Sequence, residues 1–318
     1  MRRKTKVPPA PLPQRLGIDP VRLRLPMDGP WTTVRDHLVD RLPVPASAVD
    51  DLLGEGAVVG TDGPLALDAP YVPGAFLWYH RDFPEEATVP FPITVVHRDE
   101  NIVIADKPHF MAMAPRGQHV TQSALARLRR ELDLPTLSPA HRLDRLTAGL
   151  AMFVIRPEHR AAYQGLFQER LVRKEYEALA PYDPALDLPR TVSSRIVKEH
   201  GVLAAQEVPG PPNSESRIEL TETRGALGRY RLTPVTGRTH QLRLHMCGLG
   251  VPILADPLYP EVLPGTALDD FRDPLQLLAR KLEFTDPLTG ERRSFRSGRT
   301  LERWPAGPGA AAVQSRCS

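Results

Sequence analysis

The chain has 318 residues, 41% of them hydrophobic, with 41 basic and 38 acidic side chains for a formal net charge of +3. It is long enough for two domains, and no apolar run approaches the roughly 20 residues needed to cross a bilayer, which argues against a membrane-spanning protein. Its two cysteines, Cys247 and Cys317, offer neither a disulfide framework nor a metal spacing, so a cytoplasmic protein without a structural metal is the expectation.

Residues 1–30, opening "MRRKTKVPPAPLPQRLG", are basic and Pro-rich without the apolar stretch of an export signal, and read as a flexible tail. Residues 31–88 carry two short helical patterns (Val34, Leu38, Leu42; then Val49, Leu52, Leu53) and Gly- and Pro-punctuated strands, a small α+β module. A larger domain follows over 89–303. It begins with "ITVVHRDENIVIADKP", two apolar segments around a charged turn, the pattern of a hairpin. Thr121 is the expected N-cap of a helix in which Leu125, Leu128 and Leu132 share a face, and Pro157 is expected to open a second helix carrying Ala162, Leu166 and Phe167. Strands are expected in "VRKEYEALA", twice in "RIELTETRGALGRYRLTPV" and twice in "QLLARKLEFTDPLTGERRSFR". Residues 304–318 read as a disordered tail. Helices and strands mix without regular alternation, which favours an α+β domain with a largely antiparallel sheet.

Charge is unevenly distributed. Residues 31–100 hold four basic against twelve acidic side chains, whereas residues 116–174 hold eleven basic against five acidic. One of those five is Asp144, set between Arg142 and Arg145 in "PAHRLDRLTAGL". A polyanion such as nucleic acid fits this location, and so does a set of solvated helix faces. Asp144 itself has three readings: a helix cap, a structural ion pair, or a catalytic carboxylate. The span "TGRTHQLRLHMCGLGVP" adds Arg238, His240, Arg243 and His245. Leu242, Leu244 and Met246 alternate as in a strand, yet Thr239 could cap a helix and Gly248 and Gly250 could end it, so periodicity leaves both open. His240 and His245 stand five apart, which does not match the His-x-x-x-His spacing of a helical metal site. No Gly-x-Ser-x-Gly elbow marks a serine hydrolase, and no second carboxylate near Asp144 suggests a glycosidase.

"HRLDRLTAGL", "RKEYEAL" and "PVTGRTHQLRLHMCGLGVPILAD", in that order and after "ENIVIADKP", resemble the RluA-type pseudouridine synthases over roughly residues 91–297. The resemblance implies a pseudouridine synthase fold: a mixed, largely antiparallel sheet flanked by helices, with a central active-site cleft. It implies an enzyme that isomerises selected uridines of structured RNA without a cofactor, with large-subunit ribosomal RNA the first expectation and transfer RNA the second. Carried over by position, it assigns Asp144 as the catalytic carboxylate, Arg243 as its ion-pair partner and Tyr176 as the active-site aromatic. Arg142 is then expected to help hold RNA with its target nucleotide displaced; Lys107, Arg238, His240 and His245 are the further expected RNA contacts. A guanidinium beside Asp144 favours the ionised carboxylate, and its planar fork is expected to fix the carboxylate's direction. Attack on the sugar, attack on the base and removal of a sugar proton all remain open routes. The protein is expected to be a monomer and to need no membrane.

The chain departs from the family pattern at Asp106, where asparagine is usual, at "ADPLYPEV", where Gly-Asp and Tyr-Gly are common, and at Ala148 and Ala279, where serine and histidine are frequent. The N-terminal module resembles the small alpha-L RNA-binding module, but its second helix reads "ASAVDDLLGEG" where basic residues are usual. That charge implies a module kept for packing or protein contact, with weak RNA affinity. Two competing readings are a catalytically idle RNA-binding protein of the same fold and a hydrolase of RNA or nucleosides.

Overall fold

The computed structural model describes residues 8–83, 85–264 and 270–305. The chain divides at Glu85 and Glu86 into two compact units. In the first, β1 (Val21–Arg24) is followed by α1 (Val34–Arg41), α2 (Ala46–Gly54), β2 (Val59–Gly60), β3 (Gly63–Pro64) and β4 (Phe76–Tyr79). The sheet order is β1-β4-β2-β3. Strand β1 falls inside the stretch expected to be a tail: "VRLR" alternates apolar and basic, so Leu23 turns toward the cluster formed by Leu38, Val49, Leu53 and Leu77 while Arg22 and Arg24 stay exposed. Thr33 caps α1 by accepting from the Asp36 N–H at 3.1 Å, and the Asp36 side chain reciprocates on the Thr33 N–H.

The second unit begins with the hairpin of β5 (Thr94–Arg98) and β6 (Ile102–Lys107). Next come α3 (Ala124–Leu132), β7 (Ser138–Pro139), β8 (Ala148–Val154), a 3₁₀ turn at Pro157–His159, α4 (Arg160–Gln168) and β9 (Arg173–Pro181). Strands β10 (Arg190–Ser194), β11 (Ile196–Val197), β12 (Gln206–Glu207), β13 (Ser214–Arg224) and β14 (Leu227–Pro234) lead to α5 (Gln241–Gly248), β15 (Leu277–Thr285) and β16 (Arg292–Arg296). Ten of these strands form one sheet ordered β10-β13-β14-β9-β15-β8-β6-β5, with β16 on β15 and β7 on β8. The β15–β8 pairing is parallel, whereas the neighbouring pairs are antiparallel, and this is the α+β architecture expected.

Strands β6 and β8 are buried on both faces, which their period-2 pattern explains. Val103 and Ala105 point to the side where Leu125 and Leu128 of α3 pack, and Ile102 and Ile104 point to Tyr163 and Leu166 of α4. Each of the valine, leucine and isoleucine side chains among them contributes about 1.5–3 kcal/mol by leaving water. On the other half of the sheet, Leu242 and Met246 of α5 pack on Ala178, Ile218, Tyr230 and Leu232. Strand β15 lies between the two halves, and Gly149 makes its approach possible. Its φ is +110°, and a Cβ there would lie 2.3 Å from the Ala279 carbonyl oxygen.

Two local expectations change. The cap of α3 is Ser123, whose hydroxyl accepts from the Ala126 N–H, because Thr121 is occupied by the Glu86 carboxylate. The ambiguous span 236–252 contains a helix, α5. Its strand-like alternation carries no information because every residue from Gln241 to Met246 is buried. Beyond β16, Ser297 to Trp304 runs across the sheet face opposite α5. Ser297 and the Gly298 N–H donate to the buried Asp106 carboxylate, Leu301 packs on Ala148, Leu179 and Leu278, and Trp304 lies under Arg229. The tail expected at 304–318 lies outside the described residues beyond Pro305. Among the described residues no helix is long and apolar enough to cross a membrane, and no three side chains are grouped to hold a metal ion.

Candidate active site

A cleft of about 540 Å³ opens in the second unit where the β7–β8 loop, the end of α4, β9, the turn after β14 and α5 converge. Asp144 stands in the β7–β8 loop, where its carbonyl closes a turn by accepting from the Thr147 N–H. The loop is held on both sides of it. Ahead, His141 accepts the Met152 N–H at 3.1 Å and stacks on Phe167 at 4.2 Å. Behind, the Lys107 ammonium donates to the Arg145 carbonyl at 3.3 Å and to the Pro108 and Met111 carbonyls at 2.9 Å, while His109 donates to the Leu146 carbonyl at 2.7 Å. Burial drives the histidine pKa values down, His141 to about 3 and His109 to about 4, so both rings are neutral near pH 7. Burial also lowers Lys107 to about 7, against the opposing pull of Asp144.

Arg243 faces Asp144 from α5, Nη1 to Oδ2 3.9 Å, with the guanidinium 2% exposed. Its fork, however, belongs to another carboxylate. Nε donates to Asp256 Oδ2 at 2.7 Å and Nη2 to Oδ1 at 2.5 Å, both partners buried, and the guanidinium lies over the Tyr259 ring at 5.2 Å. The expectation that the planar fork orients Asp144 is therefore corrected. Asp256 orients Arg243, and Arg243 presents one remaining nitrogen to Asp144. Burial opposes the arginine's charge, but the Asp256 hydrogen bonds and charge, with Asp144, hold its pKa above the usual value.

Tyr176, on β9, lines the same cleft. Its phenol is pushed well above the usual pKa by burial first and Asp144 second, so it is a hydrogen-bond donor at neutral pH. Arg142 is exposed at the rim, and Arg238 lines the wall with its Nε on the Asn213 carbonyl at 3.2 Å. His240 caps α5 in the left-handed region, φ 57°, with Nδ1 2.9 Å from the Tyr259 hydroxyl. Burial lowers its pKa to about 4 in spite of Asp144, leaving a neutral imidazole on the cleft wall.

Two of the expected RNA contacts lie elsewhere. Lys107 is 0% exposed and is used up on carbonyls, because β6 has no solvent face. His245 is also 0% exposed, its Nε2 3.1 Å from the Ser194 and Ser214 hydroxyls, on the side of α5 away from the cleft. The residues that sequence reasoning missed are Asp256 and Tyr259, in "ADPLYPEV", and Arg170 and Lys174, which line the cleft between α4 and Tyr176. Asp256 follows the apolar run "VPILA", and a carboxylate entering a core at that point signals a buried cation. Among the described residues lining the cleft, Asp144 is the single carboxylate, set among Arg142, Arg170, Lys174, Arg238 and Arg243. Such a cavity can hold a polyanion and apply one carboxylate and one phenol to it.

A family model described as RNA pseudouridylate synthase matches residues 101–247. The chain is 30% identical over 223 residues to a dual-specificity RNA pseudouridine synthase, RluA, of Haemophilus influenzae, covering 64% of this chain and 91% of that one. It is also 30% identical over 223 residues to ribosomal large subunit pseudouridine synthase D of Pseudomonas aeruginosa, covering 64% of this chain and 68% of the relative. Among solved structures, human RNA pseudouridylate synthase domain containing 4 aligns with a TM-score of 0.51 at 23% identity, over 66% of this chain and 89% of that chain, a likeness of fold.

Proposed function

The chain belongs to the RluA-type RNA pseudouridine synthases, isomerases that act on RNA, and on that premise we propose that it converts uridines of large-subunit ribosomal RNA through Asp144. The observation that carries the reading is the single carboxylate of a cationic cleft, flanked by a protonated phenol and a buried guanidinium. The net reaction breaks the bond from ribose to uracil N1 and forms one to C5, while the C5 proton is lost and N1 gains one. Atoms balance within the nucleoside, so one positioned charged oxygen and a proton donor suit the task.

In this reading the uridine leaves its stack to reach Asp144, which costs a few kcal/mol. Arg142 and Arg238, at the rim and wall, supply phosphate contacts that offset the cost. Tyr176 stacks on the extruded base and offers its hydroxyl to it. Arg243 keeps a positive charge facing Asp144 when RNA has excluded water, and Asp256 holds that guanidinium in place. The reading extends to a monomer acting in the cytoplasm. It also extends to the first unit. Its α2 carries Asp50 paired with Arg35 and leaves Asp51 and Glu55 exposed, which supports an alpha-L-like module serving packing or protein contact rather than RNA.

Pseudouridine mapping of ribosomal and transfer RNA from cells with and without the protein tests the substrate. The expected result is loss of specific pseudouridines from the large-subunit RNA. Loss from transfer RNA alone moves the reading to the second substrate. Released uracil or shortened RNA from purified protein would instead indicate hydrolysis.

A further inference from the structure

The cleft has a second charged wall that the chemistry at Asp144 does not use. Lys174 lies two residues before Tyr176 on β9, so strand alternation turns both toward the same side, on the order of 7 Å apart along the strand. Its ammonium is half-buried, and the one hydrogen bond it makes among the described residues is a long one, 3.4 Å to the Thr236 carbonyl. Arg170 lines the cleft beside it and, among the described residues, pairs with no carboxylate. It also occupies an unusual backbone position. Helix α4 ends with the Leu171 N–H on the Leu166 carbonyl, and Arg170 takes φ 61° at the place where glycine or asparagine is favoured. A long cationic side chain is thus held at the cleft edge against backbone preference. Gln168, from α4, lines the same wall and adds an amide donor, while the Gln164 amide beside it donates to the Pro139 carbonyl at 3.1 Å.

Two cations with unfilled donors, neither paired with a carboxylate among the described residues, and a shared wall with Tyr176 call for an anion within reach of the base-binding end. We propose that Lys174 and Arg170 form a phosphate subsite that grips a phosphodiester of the RNA strand adjoining the extruded nucleotide. This deepens the reading given above and rests on it, since the strand it holds is the one whose uridine reaches Asp144. Lys174 is a positioning residue. It acts on where the backbone lies, and through that on how often the base arrives at Asp144. Burial, and then the charge of Arg170, pull the Lys174 pKa down, and a phosphate between the two would relieve that repulsion.

The test uses the full chain with Lys174→Gln, Lys174→Arg and Arg170→Gln, a fluorescent short oligouridylate for binding, and an RNA fragment around the mapped uridine for turnover. Lys174→Gln is expected to raise KM and the oligouridylate Kd roughly tenfold and to flatten the plot of log Kd against log salt by about 0.7. Turnover at saturating RNA should change little. Arg170→Gln should act in the same direction, and Lys174→Arg should restore both quantities. Replacing one linkage beside the uridine by a neutral methylphosphonate should weaken wild-type binding and leave the Lys174→Gln variant unaffected at that linkage. An unchanged salt slope with unchanged KM overturns the subsite, and so does lost turnover at an unchanged KM, which would put Lys174 in the chemistry. Wild-type protein that forms no pseudouridine on ribosomal or transfer RNA overturns the functional reading instead, a result separable from either.

Discussion

Replacing Asp256 by asparagine probes the site most sharply, because it removes a charge without removing volume. The pair it breaks is 2% and 1% exposed and joined by hydrogen bonds of 2.7 and 2.5 Å. Stripping one partner from such a pair leaves a buried guanidinium uncompensated, at a cost of about 3–5 kcal/mol. Asparagine keeps one acceptor oxygen, so the lower end, about 3 kcal/mol, is expected. For a unit of this size each kcal/mol moves Tm by roughly 2–4 °C, giving a fall of roughly 6–12 °C. Activity should fall as well. Among the described residues the freed guanidinium has one other carboxylate within 4 Å, Asp144, whose oxygen stands 3.9 Å from Nη1. Closing that gap into a forked hydrogen bond would stabilise Asp144 in the ground state by about 1.5–3 kcal/mol, or roughly 10–150-fold in rate. Calorimetry and single-turnover pseudouridine formation read the two effects. The double variant Asp256→Leu with Arg243→Met should recover much of the Tm while staying inactive, since it removes the buried charge altogether. An Asp256→Asn protein that melts with the wild type and turns over at its rate would falsify the account of Arg243.

Asp144→Asn should abolish pseudouridine formation while Tm stays within a degree or two, roughly the effect of a partly exposed side chain; residual turnover above background would remove Asp144 from the chemistry. Tyr176→Phe retains the ring and loses the hydroxyl, so oligouridylate binding should persist while turnover drops by roughly 10²–10⁴, and a rate equal to wild type would leave the phenol with stacking alone. Gly149→Ala forces a Cβ into the Ala279 backbone at a positive φ, and the expected loss of more than about 4 kcal/mol should appear as a greatly lowered Tm or as aggregated product. Stability should also fall with acid. His109, His141 and His240 have folded pKa values of about 4, 3 and 4, below the ordinary 6.5. Between pH 6.5 and those values the unfolded chain binds protons that the folded chain refuses, so unfolding free energy declines as pH drops through that window. The slope is up to about 1.4 kcal/mol per pH unit for each proton. Urea titrations at pH 7 and below measure it, and His141→Gln should remove one proton's share.

The fold was legible where one periodicity dominated. Strands β5, β6, β13, β14, β15 and β16 stand where alternation and turn residues put them, and α4 follows the Pro157 turn. Legibility failed where burial was total. Helix α5 is apolar or buried along its first six residues, so no face distinguishes a 3.6 from a 2.0 period. The same cause misled the reading of Lys107. A lysine beside a motif that binds a polyanion suggests contact, but β6 has neighbours on both faces and turns the ammonium onto carbonyls. Asp144 and Arg243 were named through the family motifs, and their facing across the cleft depends on pairings no local pattern contains. Asp256 was hidden for a related reason. Its partner is chosen by where "ADPLYPEV" crosses α5, and nothing in the eight letters points there.

The placement of β15 has a consequence for how the enzyme comes into being. It is the strand between β9 and β8, so the chain emerging during synthesis can build β5-β6-β8 and β9-β14-β13-β10 only as two separate partial sheets. Asp144 belongs to one and Tyr176 to the other, and Ser297, which secures Asp106, lies 191 residues further along. A nascent chain halted at residue 276 would contain Asp144, Tyr176, Arg243 and Asp256 with two open strand edges and without the strand that pairs with both halves. Completion of the one continuous sheet thus waits on the last long strand, which closes both open edges at once.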